Sequence, residues 1–146
     1  LAGAEFRPYC EKLEGIDLSQ SMLDLAHLRG IYDNLKKTEI KEYLASEDLA
    51  FDLFVASDVF IYVGELSDIF RLIKNRNNCP GKLAFTTEHR DEGDVFLERS
   101  ARYSHSTQYI ENLCQKFGYR VLEFSLFNLR LDGRRMVMGG AYLLEF

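Results

Sequence analysis

The stretch Gly15-Ile16-Asp17-Leu18-Ser19-Gln20-Ser21-Met22-Leu23 sets one carboxylate between an apolar alternation and the start of a helix. Side chains at the carboxyl ends of parallel strands face an open crevice where α/β proteins hold ligands. Asp17 is therefore either a ligand group or a turn residue. Two histidines are candidates for proton transfer. His89 follows an expected strand and His105 precedes an expected helix, and an imidazole titrating near neutrality is able to take a proton from a nucleophilic oxygen or nitrogen. The plainer readings are a helix-start residue bonding its own turn for His105 and a solvated loop residue for His89. Cys10, Cys79 and Cys114 are widely spaced, odd in number and without histidines at ligand spacing, so they read as buried free thiols rather than metal ligands or a redox pair.

The elements that must position these residues follow from periodicity and turn chemistry. Lys12 to Leu18 reads as a short strand, and Ser21 as the cap of a helix that runs to about Tyr32 with Met22, Leu25, Ala26 and Leu28 on its apolar face. Thr38-Glu39-Ile40 is a very short edge strand at most. The near-continuous apolar run Phe51 to Ala56 has the character of a parallel strand buried on both faces. Leu66, Ile69, Phe70 and Ile73 predict a helix over 65–74, ended by the Asn77-Asn78-Cys79-Pro80-Gly81 cluster, with a strand at Lys82 to Thr87 beyond it. The polar stretch Glu88 to Ser104 reads as a loop over the strand ends, partly helical. Ser106 and Gly118 bracket an amphipathic helix over 107–117, and 120–130 and 136–146 are strands that reverse at Asp132-Gly133. Alternation of this kind predicts an α/β fold: a mostly parallel sheet covered by helices, closing with an antiparallel hairpin.

Composition narrows the partners. A length of 146 residues with 47% hydrophobic content is enough for one domain with a sizeable core. A net charge of −5 with scattered lysines and arginines argues against nucleic acid, whose phosphates call for a concentrated basic face. No apolar run is long enough for a membrane span and no secretory leader opens the sequence, so the expected setting is soluble and cytoplasmic.

Taken with this architecture, Gly15 to Leu23 resembles the class I S-adenosylmethionine-dependent methyltransferases. The segment from Phe51 to Leu66 and the run Arg102-Tyr103-Ser104-His105-Ser106 resemble one branch of that superfamily, often fused to tetratricopeptide repeats, and the resemblance extends over essentially the whole chain. It implies a Rossmann-like, seven-stranded sheet with its last strand antiparallel, and S-adenosyl-L-methionine as cofactor. Asp17 matches the acid that binds the cofactor ribose, where one carboxylate accepts hydrogen bonds from both vicinal hydroxyls. Leu18 and Met22 would pack near the adenine, Glu39 and Ile40 would flank the ring, and Ala56, Ser57 and Asp58 would line the methionine end. The first strand and glycine-rich turn of such proteins have no counterpart here. The chain is therefore expected to be truncated before them, with Leu1-Ala2-Gly3 in the helix that follows, and activity is expected of the parent protein, with tetratricopeptide repeats as possible companions.

The implied activity is methyl transfer to a small-molecule or protein acceptor by in-line displacement, in which alignment contributes most of the acceleration. The acceptor pocket is expected between the end of the Leu83 to Thr87 strand and the 88–105 segment, with Ser57, Asp58 and Tyr62 as the opposite wall and Tyr103 and His105 helping to shape it. Two alternatives remain open. One is a non-catalytic ligand-sensing or scaffold module with the same fold, and the other is a dinucleotide-binding oxidoreductase, whose cofactor ribose also calls for an acid.

Overall fold

Two hydrogen bonds, one across Leu18 and one after it, fix the boundary between the first strand and the helix that follows. The Ser19 N–H donates to Asp17 Oδ1 at 2.8 Å, and the Met22 N–H donates to Ser19 Oγ at 3.4 Å. Ser19, with extended backbone, is therefore the cap of the helix Gln20–Leu28. Ser21, the expected cap, is already inside the helix, and its hydroxyl lies 2.9 Å from that of Ser19. An N-cap needs non-helical backbone as well as a side-chain oxygen, and only Ser19 has both.

The computed structural model describes residues 2–46, 48–133 and 135–146. The chain forms two compact units, Leu1–Glu47 and Asp48–Phe146. The first unit contains α1 (Ala2–Phe6), a 3-10 turn at Arg7–Tyr9, β1 (Glu14–Asp17), α2 (Gln20–Leu28), β2 (Asn34–Lys37) and α3 (Ile40–Ser46). Strands β1 and β2 are parallel, with Asp17 opposite Lys37. Three expectations are corrected here. Strand β1 is shorter than Lys12 to Leu18. Helix α2 stops at Leu28 rather than Tyr32, because Gly30 takes a left-handed φ of 61° that leaves the helical path. The edge strand lies at Asn34–Lys37, not at Thr38-Glu39-Ile40, because the Glu39 carboxylate accepts from the N–H groups of Lys41 at 2.7 Å and Glu42 at 3.1 Å and opens α3 instead. Leu23, Tyr43 and Leu44 are buried, and the Tyr43 hydroxyl donates to Glu14 Oε2 at 2.8 Å. The expected apolar face of α2 is not a buried one, since Met22, Leu25 and Leu28 are exposed.

The second unit contains β3 (Leu53–Ala56), a 3-10 turn at Phe60–Tyr62, α4 (Ser67–Arg76), β4 (Lys82–Arg90), β5 (Val95–Leu97), β6 (Tyr103–Ser106), α5 (Thr107–Phe117), β7 (Arg120–Asp132) and β8 (Arg135–Glu145). Its six-stranded sheet is mixed. The order β5-β6-β4-β8-β7 is hydrogen-bonded in sequence, and β3 pairs with β4 as well. Strands β3 and β6 run parallel to β4, and β8 runs antiparallel to it. The expected α/β class holds, with the strands divided between a two-stranded and a six-stranded sheet in place of one seven-stranded sheet.

The terminal hairpin forms as expected, β7 pairing antiparallel with β8 from Arg120 opposite Glu145 to Asp132 opposite Arg135. Gly133 takes a φ of 62° in the reversal, and Arg134, its neighbour there, lies outside the described residues. Helix α5 also matches its expected limits. The Tyr109 N–H donates to Ser106 Oγ at 3.0 Å, and Gly118 closes the helix with a φ of 71°.

Two expectations for this unit fail. Strand β3 is not buried on both faces: Leu53 and Val55 are exposed, and among the described residues β3 pairs only with β4. A continuous apolar run records a preference for cover without supplying it. The segment 88–104 is neither a plain loop nor partly helical, since β4 continues to Arg90 and β5 and β6 are built onto its end. The core lies between this sheet and α4 and α5, where Phe60, Leu66, Ile69, Phe70, Leu83, Ile110 and Leu144 are fully buried. Phe85 stacks on Tyr142 with ring centres 4.9 Å apart, and Phe70 lies 5.0 Å from Tyr119.

Candidate functional site

In the first unit the residues around Asp17 are arranged to meet a ligand. Asp17 Oδ1 is occupied by the Ser19 N–H, and among the described residues Oδ2 has no partner. Leu18 is 66% exposed and Met22 53% exposed, and such apolar surface beside an acid suits the flat face of a heterocycle. Glu39 and Ile40 stand at the start of α3, where the Glu39 carboxylate is already engaged with two backbone N–H groups. That leaves Glu39 less acceptor capacity than Asp17.

The second unit has its own constellation, set by a change of partner along β4. Residues Lys82 to Phe85 pair with β3, whereas Glu88 to Arg90 pair with β6. Ala56, buried, ends β3, and Ser57 and Asp58 follow it as exposed residues. Asp58 has a φ of 56°, and its N–H donates to Thr86 Oγ1 at 3.1 Å. A non-glycine residue in the left-handed region carries strain that the surroundings must hold in place. A cavity of about 260 Å³ is lined by Asp58, Ile61, Tyr62, Arg102, Leu129 and Arg130.

The charges around this cavity differ in how they are satisfied. Arg130 Nη2 donates to Glu88 Oε2 at 2.8 Å, and the Glu88 side chain is only 7% exposed. A buried carboxylate of this kind depends on its cation, since removing one partner leaves an uncompensated charge. The Arg102 guanidinium lies over the Tyr62 ring, 5.9 Å from its centre, and its Nε is buried without a hydrogen-bond partner. Its pKa is raised, first by the Tyr62 hydroxyl and, against the effect of burial, by the charges of Glu88 and Asp58.

Neither histidine lines the cavity. His105 is completely buried in β6, and its Nε2 lies 2.9 Å from the Gly64 carbonyl, to which it donates. Burial lowers its pKa. Its Nδ1 is buried without a partner, a placement that suits a packed structural ring better than a base in contact with solvent or substrate. His89 pairs in register with His105 across β4 and β6, and its Nε2 is 3.3 Å from Asp91 Oδ1. Tyr103 packs against Gly64, where a methyl group would fall 2.8 Å from the ring.

The cysteines are free thiols, of which only Cys114 is fully buried, whereas Cys10 and Cys79 are half-buried. Burial pushes the Cys114 thiol up to about 11, which keeps it protonated and unreactive at neutral pH. Among the described residues no group of histidine, cysteine and acidic side chains is arranged to hold a metal, and no helix is long and apolar enough to cross a membrane.

The structure thus brings Asp58 and Tyr62 together with Arg102, and leaves Ser57, His89 and His105 outside the cavity lining. Sequence reasoning passed over Arg102 and Arg130 as site residues. Arg102 opens the run Arg102-Tyr103-Ser104-His105-Ser106, and Arg130 interrupts the alternation Leu129-Arg130-Leu131. For Arg130, inside β7, a cation set within a strand pattern was the available signal.

No protein-family model matches the chain, and no curated protein does. Solved structures do. A SAM-dependent methyltransferase from Methanosarcina mazei is 13% identical, with a TM-score of 0.71 over 97% of this chain and 85% of that one. The magnesium protoporphyrin IX methyltransferase of Synechocystis, solved with bound SAH, is also 13% identical, with a TM-score of 0.71 over 97% of this chain and 66% of that one. The cyclase SpnF is 14% identical, with a TM-score of 0.73 over 97% and 68%. At such identities likeness speaks for the fold, and the chain has the α/β, Rossmann-like fold of the SAM-dependent methyltransferases.

Proposed function

We propose that this chain is the catalytic domain of an S-adenosyl-L-methionine-dependent methyltransferase, acting on a small-molecule or protein acceptor. The observation that carries the reading is Asp17. It ends a parallel strand, keeps one carboxylate oxygen unpartnered among the described residues, and stands beside exposed Leu18 and Met22 at a capped helix. In this reading Asp17 accepts from the ribose hydroxyls, and Leu18 and Met22 lie against adenine, with Ile40 and Glu39 near the ring. When bound, the cofactor supplies an electrophilic methyl group and a sulfur leaving group, so this chain's own residues need only bind, align and exclude water.

Two further readings are tested alongside. The likeness to a cyclase shows that the fold also occurs in an enzyme with a different reaction in its name, so a domain without methyl transfer is the second reading. A dinucleotide site is the third. The experiment is a calorimetric titration of the full-length protein with S-adenosylhomocysteine and, separately, NAD, followed by a substrate screen that detects S-adenosylhomocysteine formed from the methyl donor. Binding of S-adenosylhomocysteine, no heat with NAD, and turnover with an acceptor is the expected result. Binding without any turnover favours the second reading, and NAD binding alone favours the third.

A further inference from the structure

The cavity between the end of β3 and the start of β6 carries charges that are unevenly satisfied. Arg130 is spent on Glu88, whose buried carboxylate it neutralises at 2.8 Å. Asp58 is exposed, so water screens its charge. Arg102 is different. Its Nε is buried without a hydrogen-bond partner, the rest of the guanidinium is held by the Tyr62 hydroxyl, and among the described residues it closes no ion pair with either Asp58 or Glu88. A guanidinium that lines a cavity without an anionic partner keeps donors for one, and hydrogen bonds between a guanidinium and a carboxylate are of the stronger, charge-assisted kind. The Tyr62 ring centre lies 5.9 Å from the guanidinium, whose planar fork matches the two oxygens of a carboxylate.

From this we infer that the acceptor is a small molecule bearing a carboxylate, held in the cavity by Arg102 with Tyr62. The inference rests on the proposed methyl-transfer reading, which needs an acceptor site in this chain. The volume of about 260 Å³ admits one ring or a short chain and sits just below the range usual for drug-sized ligands, roughly 300–1,000 Å³.

The test uses matched pairs of probes, benzoate with benzamide, 4-hydroxybenzoate with its amide and succinate with succinamide, titrated into the full-length protein by calorimetry. S-adenosylhomocysteine is titrated in parallel. At least one acid is expected to bind about tenfold or more tightly than its amide, the scale of a charge-assisted hydrogen bond. Arg102→Gln should abolish that preference, Arg102→Lys should keep part of it, and Tyr62→Phe should reduce it less. None of the three should change S-adenosylhomocysteine affinity more than about twofold, within the scatter of ordinary surface changes. Should Arg102→Gln fail to fold, the lysine and phenylalanine variants carry the same comparison.

Equal binding of acid and amide in every pair, no binding of any acid, or a preference that survives Arg102→Gln would overturn the inference. A loss of S-adenosylhomocysteine affinity matching the loss of acid binding would assign Arg102 to the donor, and would overturn it too. Acids bound through Arg102 by a protein that ignores S-adenosylhomocysteine would support the anion site and count against methyl transfer alone.

Discussion

The two units bury their apolar side chains to very different extents. In the unit Asp48–Phe146, helices α4 and α5 sink Ile69, Phe70, Ile73, Ile110 and Leu113 into a continuous aromatic and aliphatic core. In the unit Leu1–Glu47, helix α2 buries only Leu23 and leaves Met22, Leu25 and Leu28 in contact with solvent. Both kinds of helix have apolar residues at helical spacing. Periodicity therefore fixes that a helix forms, while cover decides what each side chain contributes to stability. Apolar surface left open beside Asp17 is surface available to a ligand, which is why the less buried unit carries the proposed ribose acid.

The largest expected effect sharpens that contrast. Phe70 is fully buried against Phe85 and Tyr119, so Phe70→Ala should cost about 3–5 kcal/mol in urea unfolding, whereas Leu25→Ala should stay within about 0.5 kcal/mol. Equal losses would break the comparison. The two capping serines give a smaller effect of the same kind. Ser106 is buried and its hydroxyl accepts at 3.0 Å, while Ser19 accepts at 3.4 Å in an exposed turn. Ser106→Ala should cost about 1–2 kcal/mol and Ser19→Ala about 0.5 kcal/mol, both read from denaturation midpoints.

Much of this was legible in the sequence, and the limits were physical. Helix α5 was readable end to end because Ser106, Gly118 and the apolar spacing are all local signals. The hairpin β7–β8 was readable because Asp132-Gly133 marks its reversal. Strands β5 and β6 were not, since Tyr103 to Ser106 is short and polar and becomes a strand by pairing with β4 on one side and β5 on the other. Asp17 and Asp58 were visible because an acid stands out at the end of an apolar run. Arg102 and Arg130 were not: the value of each depends on what surrounds it, Tyr62 in one case and buried Glu88 in the other.

The smallest expected effect depends on pH and belongs to the second unit alone. Burial lowers the pKa of His105 below its ordinary 6.5, so the unfolded chain takes up a proton at a higher pH than the folded one. The stability this neutral ring contributes is complete above about 6.5 and is lost as pH falls from there toward the folded value. His105→Gln keeps a donor for the Gly64 carbonyl and should flatten the slope below pH 6.5, as measured by thermal unfolding across pH. An unchanged slope would mean that other groups set it.

The central claim is that Asp17 holds the ribose of S-adenosyl-L-methionine. Its most direct measurement is the affinity of S-adenosylhomocysteine for the full-length protein with and without Asp17→Ala, under conditions where both are folded. The account predicts a loss of about 1.5–3 kcal/mol, roughly ten- to a hundredfold in Kd, the scale of hydrogen bonds to a charged acceptor. An affinity unchanged by Asp17→Ala would contradict it.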